Sequence, residues 1–273
     1  MEIIPDLSFC VTADRGPELL RLVLQSIYDT ADHVSFEIFV VGRGAEADLA
    51  AMLVRLFPDV HLFESDGNEG LPDRQNDILR LTRGRYVVLW AGDLLCRPGC
   101  LSRLLGLLDD NPEVGLAAPA IVASDNVREA WPLSFPGPGR ALLRVLGLRD
   151  SLFDRCPMVV AEAAAATMRA VDWLPADCLV LRREALEEAG YLDEGYAAMA
   201  AVAMDYCRRL KEAGWHVHFL AVAGVERVAR LDWLPGPNDE GGDKVGRERP
   251  AEISPGDLAR FFWKKWFRPR SVY

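Results

Sequence analysis

The sequence has no uninterrupted apolar stretch approaching the roughly 20 residues of a membrane span, and its opening, MEIIPDLSF, carries acidic groups where a secretory leader needs basic ones. Paired Cys-x-x-Cys and Cys/His spacings are also missing, which argues against zinc and against a disulfide framework. The six cysteines, Cys10, Cys96, Cys100, Cys156, Cys178 and Cys207, lie mostly inside apolar runs and read as buried free thiols in a reducing compartment. Positive charge is short: 31 Lys and Arg against 41 Asp and Glu give 31 − 41 = −10, which disfavours nucleic acid as a partner and non-specific attraction to an anionic membrane. No internal repeat or low-complexity tract is visible. These absences predict a cytoplasmic, bacterial-type protein without an anchor of its own.

Half of the 273 residues are hydrophobic, enough to bury a substantial core, and the length stands near the upper limit for one α/β domain. Short apolar runs alternate with helical patterns. Leu7–Thr12 leads through a turn at Asp14–Gly16 to the stripe Leu19, Leu20, Leu22, Val23 and Ile27. Phe36–Val41 precedes a helix over Ala47–Leu56, Val60–Phe63 one over Pro72–Leu81, and Tyr86–Trp90 one over Pro98–Leu108. Four such units predict a largely parallel sheet flanked by helices, with ligands outside the carboxyl ends of the strands, on the loops after Thr12, Val41 and Trp90. A further strand is expected at 114–122. Ser124–Ala170 then loses periodicity around Pro136, Gly137, Pro138 and Gly139, a stretch suited to lining an acceptor site. Regularity resumes with a strand over Cys178–Arg182, helices over Glu184–Ala189 and Asp205–Ala213, and a strand over His216–Leu220. The chain thus divides into a domain over 1–233, a polar linker over 234–253 and a C-terminal helix over 254–273. That helix is capped by Ser254, with Pro255 and Asp257 in its first turn.

Several phrases, in order, carry a resemblance. LSFCVTADRGPELLRLVLQSI looks like the opening strand and helix of family 2 glycosyltransferases, which have the A-type nucleotide-sugar fold, a single Rossmann-like domain with a mixed, mostly parallel sheet. Asn68-Glu69-Gly70 followed by Asn76, then RGRYVVLWAGD ending at Asp93, are similar to later landmarks of that family. CRPGCLSRLLGLLDDNPEVGLAAP, VDWLPADCLVLRREALEEAGYLDE and DYCRRLKEAGWHVHFL resemble its rhamnosyltransferase-like branch, so that the likeness covers about Leu7 to Leu220. The resemblance implies a nucleotide-diphosphate sugar as donor, a glycan or lipid-linked acceptor, and Asp93 as ligand of a divalent manganese or magnesium ion that neutralises the leaving diphosphate. It also implies nucleotide contacts from Thr12, Asp14, Arg15, Asn68, Arg74 and Asn76.

Four residues at three sites depart from that pattern. Val202 and Ala203 stand where the family keeps an acidic pair whose aspartate takes the acceptor proton. Gly42 replaces the aspartate that reads the base, and Arg227 replaces a metal-binding histidine. Arg227, a permanent cation with a bidentate fork, is a candidate to hold the diphosphate in place of the metal. Asp177, in LPADCLVL, is a candidate to replace the missing base, with an edge turn as its ordinary role. Asp205 is a weaker catalytic candidate, equally suited to capping a helix. In the tail, Leu258, Phe261, Phe262 and Trp266 fall on one side among Arg260, Lys264, Lys265, Arg268 and Arg270. That stripe fits the inner face of a membrane, the domain itself, a homodimer or a partner transferase. Two functions follow as expectations: a sugar transferase with an altered or lost catalytic site acting on a polysaccharide, glycolipid or protein acceptor, and a catalytically inactive relative that binds or scaffolds an active transferase.

Overall fold

The computed structural model describes residues 4–13, 15–31, 33–43, 47–65, 69–123, 135, 168–228 and 253–267. Nine strands form one sheet: β1 (Leu7–Ala13), β2 (Phe36–Arg43), β3 (His61–Ser65), β4 (Tyr86–Trp90), β5 (Leu94–Cys96), β6 (Val114–Ala123), β7 (Met168–Ala170), β8 (Cys178–Arg182) and β9 (His216–Arg227). The helices are α1 (Pro17–Thr30), α2 (Ala47–Leu56), α3 (Leu71–Leu79), α4 (Cys100–Asp109), α5 (Arg183–Ala189), α6 (Met199–Glu212) and α7 (Pro255–Phe267). The strand order is β3-β2-β1-β4-β8-β6-β9-β5, with β7 paired to β9. Strands β1, β2, β3, β4, β6 and β9 run one way and β5, β7 and β8 the other. This is the expected α/β layer with a mixed, mostly parallel sheet.

Side-chain alternation along the strands builds two cores. Leu7, Phe9 and Val11 of β1 face α1, α2 and α4, whereas Cys10 belongs to the opposite cluster with α3, α5, α6 and α7. Gly84, just before β4, has no room for a side chain, since a Cβ would lie 2.6 Å from Ser8 Oγ. The same Ser8 hydroxyl accepts from the Gly84 amide and donates to Glu37.

Most boundaries fall within about two residues of expectation, and two differ by more. Helix α6 begins at Met199 rather than Asp205, because Ala200 to Met204 are buried and carry no polar side chain to signal a start. Strand β9 continues past Leu220 to Arg227, held by β6 on one side and by β7 and then β5 on the other. The short strands β5 and β7 were not anticipated.

The tail helix starts as its sequence predicts, with Ser254 Oγ accepting from the Asp257 amide at 3.0 Å. Leu258, Phe261 and Phe262 pack into the α3/α5/α6 core, and Phe261 meets Phe262 edge-on. Arg260 and Lys264 pair with Asp193, and Asp257 accepts from the amides of Ala197 and Ala198 ahead of α6. Most of the stripe with membrane, partner or domain as its options therefore faces the domain itself. No helix among the described residues is long and apolar enough to cross a membrane. The 234–253 linker lies outside the described residues except for Ile253, as does the Ser124–Ala170 stretch except for Phe135 and Met168–Ala170.

Candidate active site

Strand direction collects the candidate residues at one edge of the sheet. The carboxyl ends of β1, β4, β6 and β9 meet there, and β8, running the other way, begins there with Asp177 just ahead of Cys178. Backbone bonds fix the loops. The amide of Ala91 donates to the Asp177 carbonyl at 2.8 Å, and that of Gly92 to Thr12 Oγ1 at 3.1 Å. The amide of Val228 donates to the Asp93 carbonyl at 2.9 Å, while Leu94 pairs with Arg227 in the β5–β9 ladder. Arg227 is thus a strand residue whose backbone is held on both sides, which aims its guanidinium at Asp93.

Arg227 Nη1 donates to both carboxylate oxygens of Asp93, at 3.0 and 2.8 Å, and Nη2 donates to Asp177 Oδ1 at 2.9 Å. Arg15 Nη2 stands 3.6 Å from Asp93 Oδ2. Four of the expected residues therefore form one cluster of two carboxylates and two guanidiniums. Its depth is graded: the Asp93 side chain is 6% exposed, Arg227 20% and Asp177 38%. Burial alone would lower the Arg227 pKa, but the charges of Asp93 and Asp177 outweigh it and hold the group well above its ordinary value. Arg227 stays charged at any working pH. The direct pairing of Asp93 with Arg227 has no signal in the sequence, because the residues are 134 positions apart.

A divalent cation binds through free oxygen ligands. Both Asp93 oxygens are taken by Arg227, and among the described residues no group of three or more His, Cys, Asp or Glu side chains converges to hold a metal. As arranged, the donor set does not fit a divalent ion at Asp93. What it offers is a fixed cation, with Arg15 beside it, at the mouth of the strand ends.

The remaining candidates separate. Arg74 lies near the edge, its Nη1 donating to the Gly42 carbonyl at 2.9 Å at the end of β2. Asn76 is buried, and its amide group is occupied by Leu192 O at 2.9 Å, Glu194 Oε1 at 2.8 Å and the Leu192 amide at 2.9 Å, so it ties α3 to the loop after α5. Asp205 is 1% exposed in the middle of α6, where it neither caps the helix nor reaches the strand ends. Tyr196, Arg208 and Arg209 occupy its oxygens. Val202 and Ala203 are buried in the same helix. Asp14 and Asn68 lie outside the described residues.

Comparison with known proteins agrees with this architecture. An uncharacterised protein of Mycobacterium tuberculosis (strain CDC 1551 / Oshkosh) is 28% identical over 196 residues, covering 70% of this chain and 58% of the relative. The N-acetylglucosaminyl-diphospho-decaprenol L-rhamnosyltransferase of the same organism is 25% identical over 219 residues, 75% of this chain and 70% of the relative. Among solved structures, GalNAc-T7 with UDP, GalNAc and Mn2+ superposes with a TM-score of 0.63 at 13% identity, over 85% of this chain and 45% of that one. The mannosyltransferase PcManGT from Pyrobaculum calidifontis with GDP-Man and Mn2+ superposes with a TM-score of 0.56 at 17% identity, over 84% of this chain and 58% of that one. This chain thus spans little more than half the length of the first relative, and at these identities the solved structures speak for the fold. The family model described as glycosyl transferase family 2 matches residues 8–190, more than half of the sequence, and the chain belongs to that family.

Proposed function

We propose that this protein transfers a sugar from a nucleotide-diphosphate donor to a glycan acceptor, with Arg227 supplying the positive charge that neutralises the leaving diphosphate. The observation that carries this reading is the Arg227–Asp93 pair at the strand ends, in which Nη1 donates to both carboxylate oxygens. A leaving diphosphate gains negative charge as its bond to the sugar breaks, and a preorganised guanidinium stabilises that charge without a metal. Arg15, half exposed at the rim, adds a second donor. The acceptor hydroxyl attacks the anomeric carbon, and the new carbon–oxygen bond forms as the bond to the diphosphate oxygen breaks. The nucleoside diphosphate leaves with the electron pair, and the hydroxyl proton passes to Asp177, the most exposed carboxylate of the cluster. The L-rhamnosyltransferase relative favours a lipid-linked glycan over a protein as acceptor.

A second reading, an inactive relative that partners an active transferase, is favoured by buried Val202 and Ala203 on α6, where the family keeps an acidic pair. Calorimetric titration with UDP, GDP, dTDP and CDP separates the two. Micromolar binding of one of them supports the transferase; absence of binding to all four supports the inactive partner.

A further inference from the structure

We infer that Asp177 sits in the seat of a donor phosphate oxygen on Arg227, and that donor binding displaces it. The inference rests on the reading of this cluster as the diphosphate site. Among the described residues, Asp93 and Asp177 face Arg15 and Arg227, so both guanidiniums already stand against carboxylates and an incoming anion competes with them. One contact has to give way. Asp93 is the inner member, 6% exposed, and it holds Arg227 through both of its oxygens, so parting them strands a buried charge. Asp177 is the outer member, 38% exposed, and it meets Arg227 through one oxygen, at Nη2. An exposed single ion pair is weak, and water re-solvates the released carboxylate at small cost. A phosphate oxygen fits the vacated Nη2 while Nη1 stays on Asp93, which leaves Asp93 as the residue that orients the guanidinium and Arg15 as the second donor.

The exchange couples binding to chemistry. While Arg227 Nη2 donates to Asp177 Oδ1, that oxygen is taken up by the guanidinium and is not presented to an acceptor hydroxyl. Asp177 becomes a competent base only when the donor has taken its place, so that an acceptor hydroxyl is activated with a sugar in the site and not before.

The test uses inorganic pyrophosphate, titrated calorimetrically into the wild-type protein and into Asp177→Asn and Asp177→Ser, with folding of each verified by its thermal transition. Displacement predicts binding roughly threefold to tenfold tighter in both variants, the scale of one partly exposed ion pair, together with lost sugar transfer. Glu226→Gln is the control for net charge. It removes the same charge from the neighbouring strand residue, which pairs with Arg97 and points to the other sheet face, and it should change affinity less than twofold. Unchanged or weaker pyrophosphate binding in both Asp177 variants, or an equal gain in Glu226→Gln, overturns the displacement while leaving the diphosphate site standing. Absence of binding in every protein overturns both.

Discussion

Removing Arg227 strips both Asp93 oxygens of their main donor in a place nearly closed to water, which is why the pair carries more than an exposed ion pair would. Arg227→Met is expected to cost about 2–3 kcal/mol of stability in urea denaturation, the nearby Arg15 supplying part of the loss. Arg227→Lys keeps the charge but not the fork, and should retain most of the stability while weakening nucleotide binding at least tenfold. Asn76 gives the opposite signature: Asn76→Ala breaks the tie between α3 and Leu192 and should cost about 1–3 kcal/mol with nucleotide affinity unchanged. At this scale the sequence was legible in part. Asp93, Asp177, Arg15 and Arg227 were singled out by their places in ordered motifs, and the fold brings them together. Their mutual pairing was hidden, since a side chain's partner across 50 or 134 residues depends on strand register that no local pattern encodes. Asn76 and Asp205 were polar residues in recognisable phrases, and burial turned both into structural ties.

Elements closed at both ends by polar or turn residues have the expected bounds, and those without such closure do not. Strands β4 and β8 and helix α2 have the expected bounds because each is a short run closed by polar or turn residues. Helix α6 was cut short because Ala200 to Met204 present no polar side, so the first charged residue, Asp205, resembled a beginning. Strand β9 was ended early because its second half depends on pairing with β5, itself only Leu94–Cys96. For the tail, amphipathicity was plain but its partner was not: a membrane, a second chain and the protein's own core all want the same stripe. Phe261→Ala should therefore lower stability by about 3–5 kcal/mol, as loss of a fully buried ring does. Trp263→Ser, at an aromatic of that helix that is 58% exposed, should change it by less than about 0.5 kcal/mol. Equal effects in denaturant melts would contradict the docked orientation of α7.

Across the whole molecule, the site exists because strands far apart in sequence end at one edge of a single sheet. Helix α1 and the β1 loop bring Arg15, β4 brings Asp93, the start of β8 brings Asp177 and the end of β9 brings Arg227. This arrangement followed from the alternation of strands and helices, which was visible in the sequence, and from the placement of β8 and β9, which was carried by the family resemblance alone. The chain belongs to the family, and Arg227 is proposed to take the metal's part at the diphosphate. That claim is tested most directly by titrating the nucleotide that the protein binds in the presence of EDTA and again with manganese. With Arg227 as the countercharge the affinity is the same in both; binding that disappears in EDTA and returns with manganese would put a metal there instead.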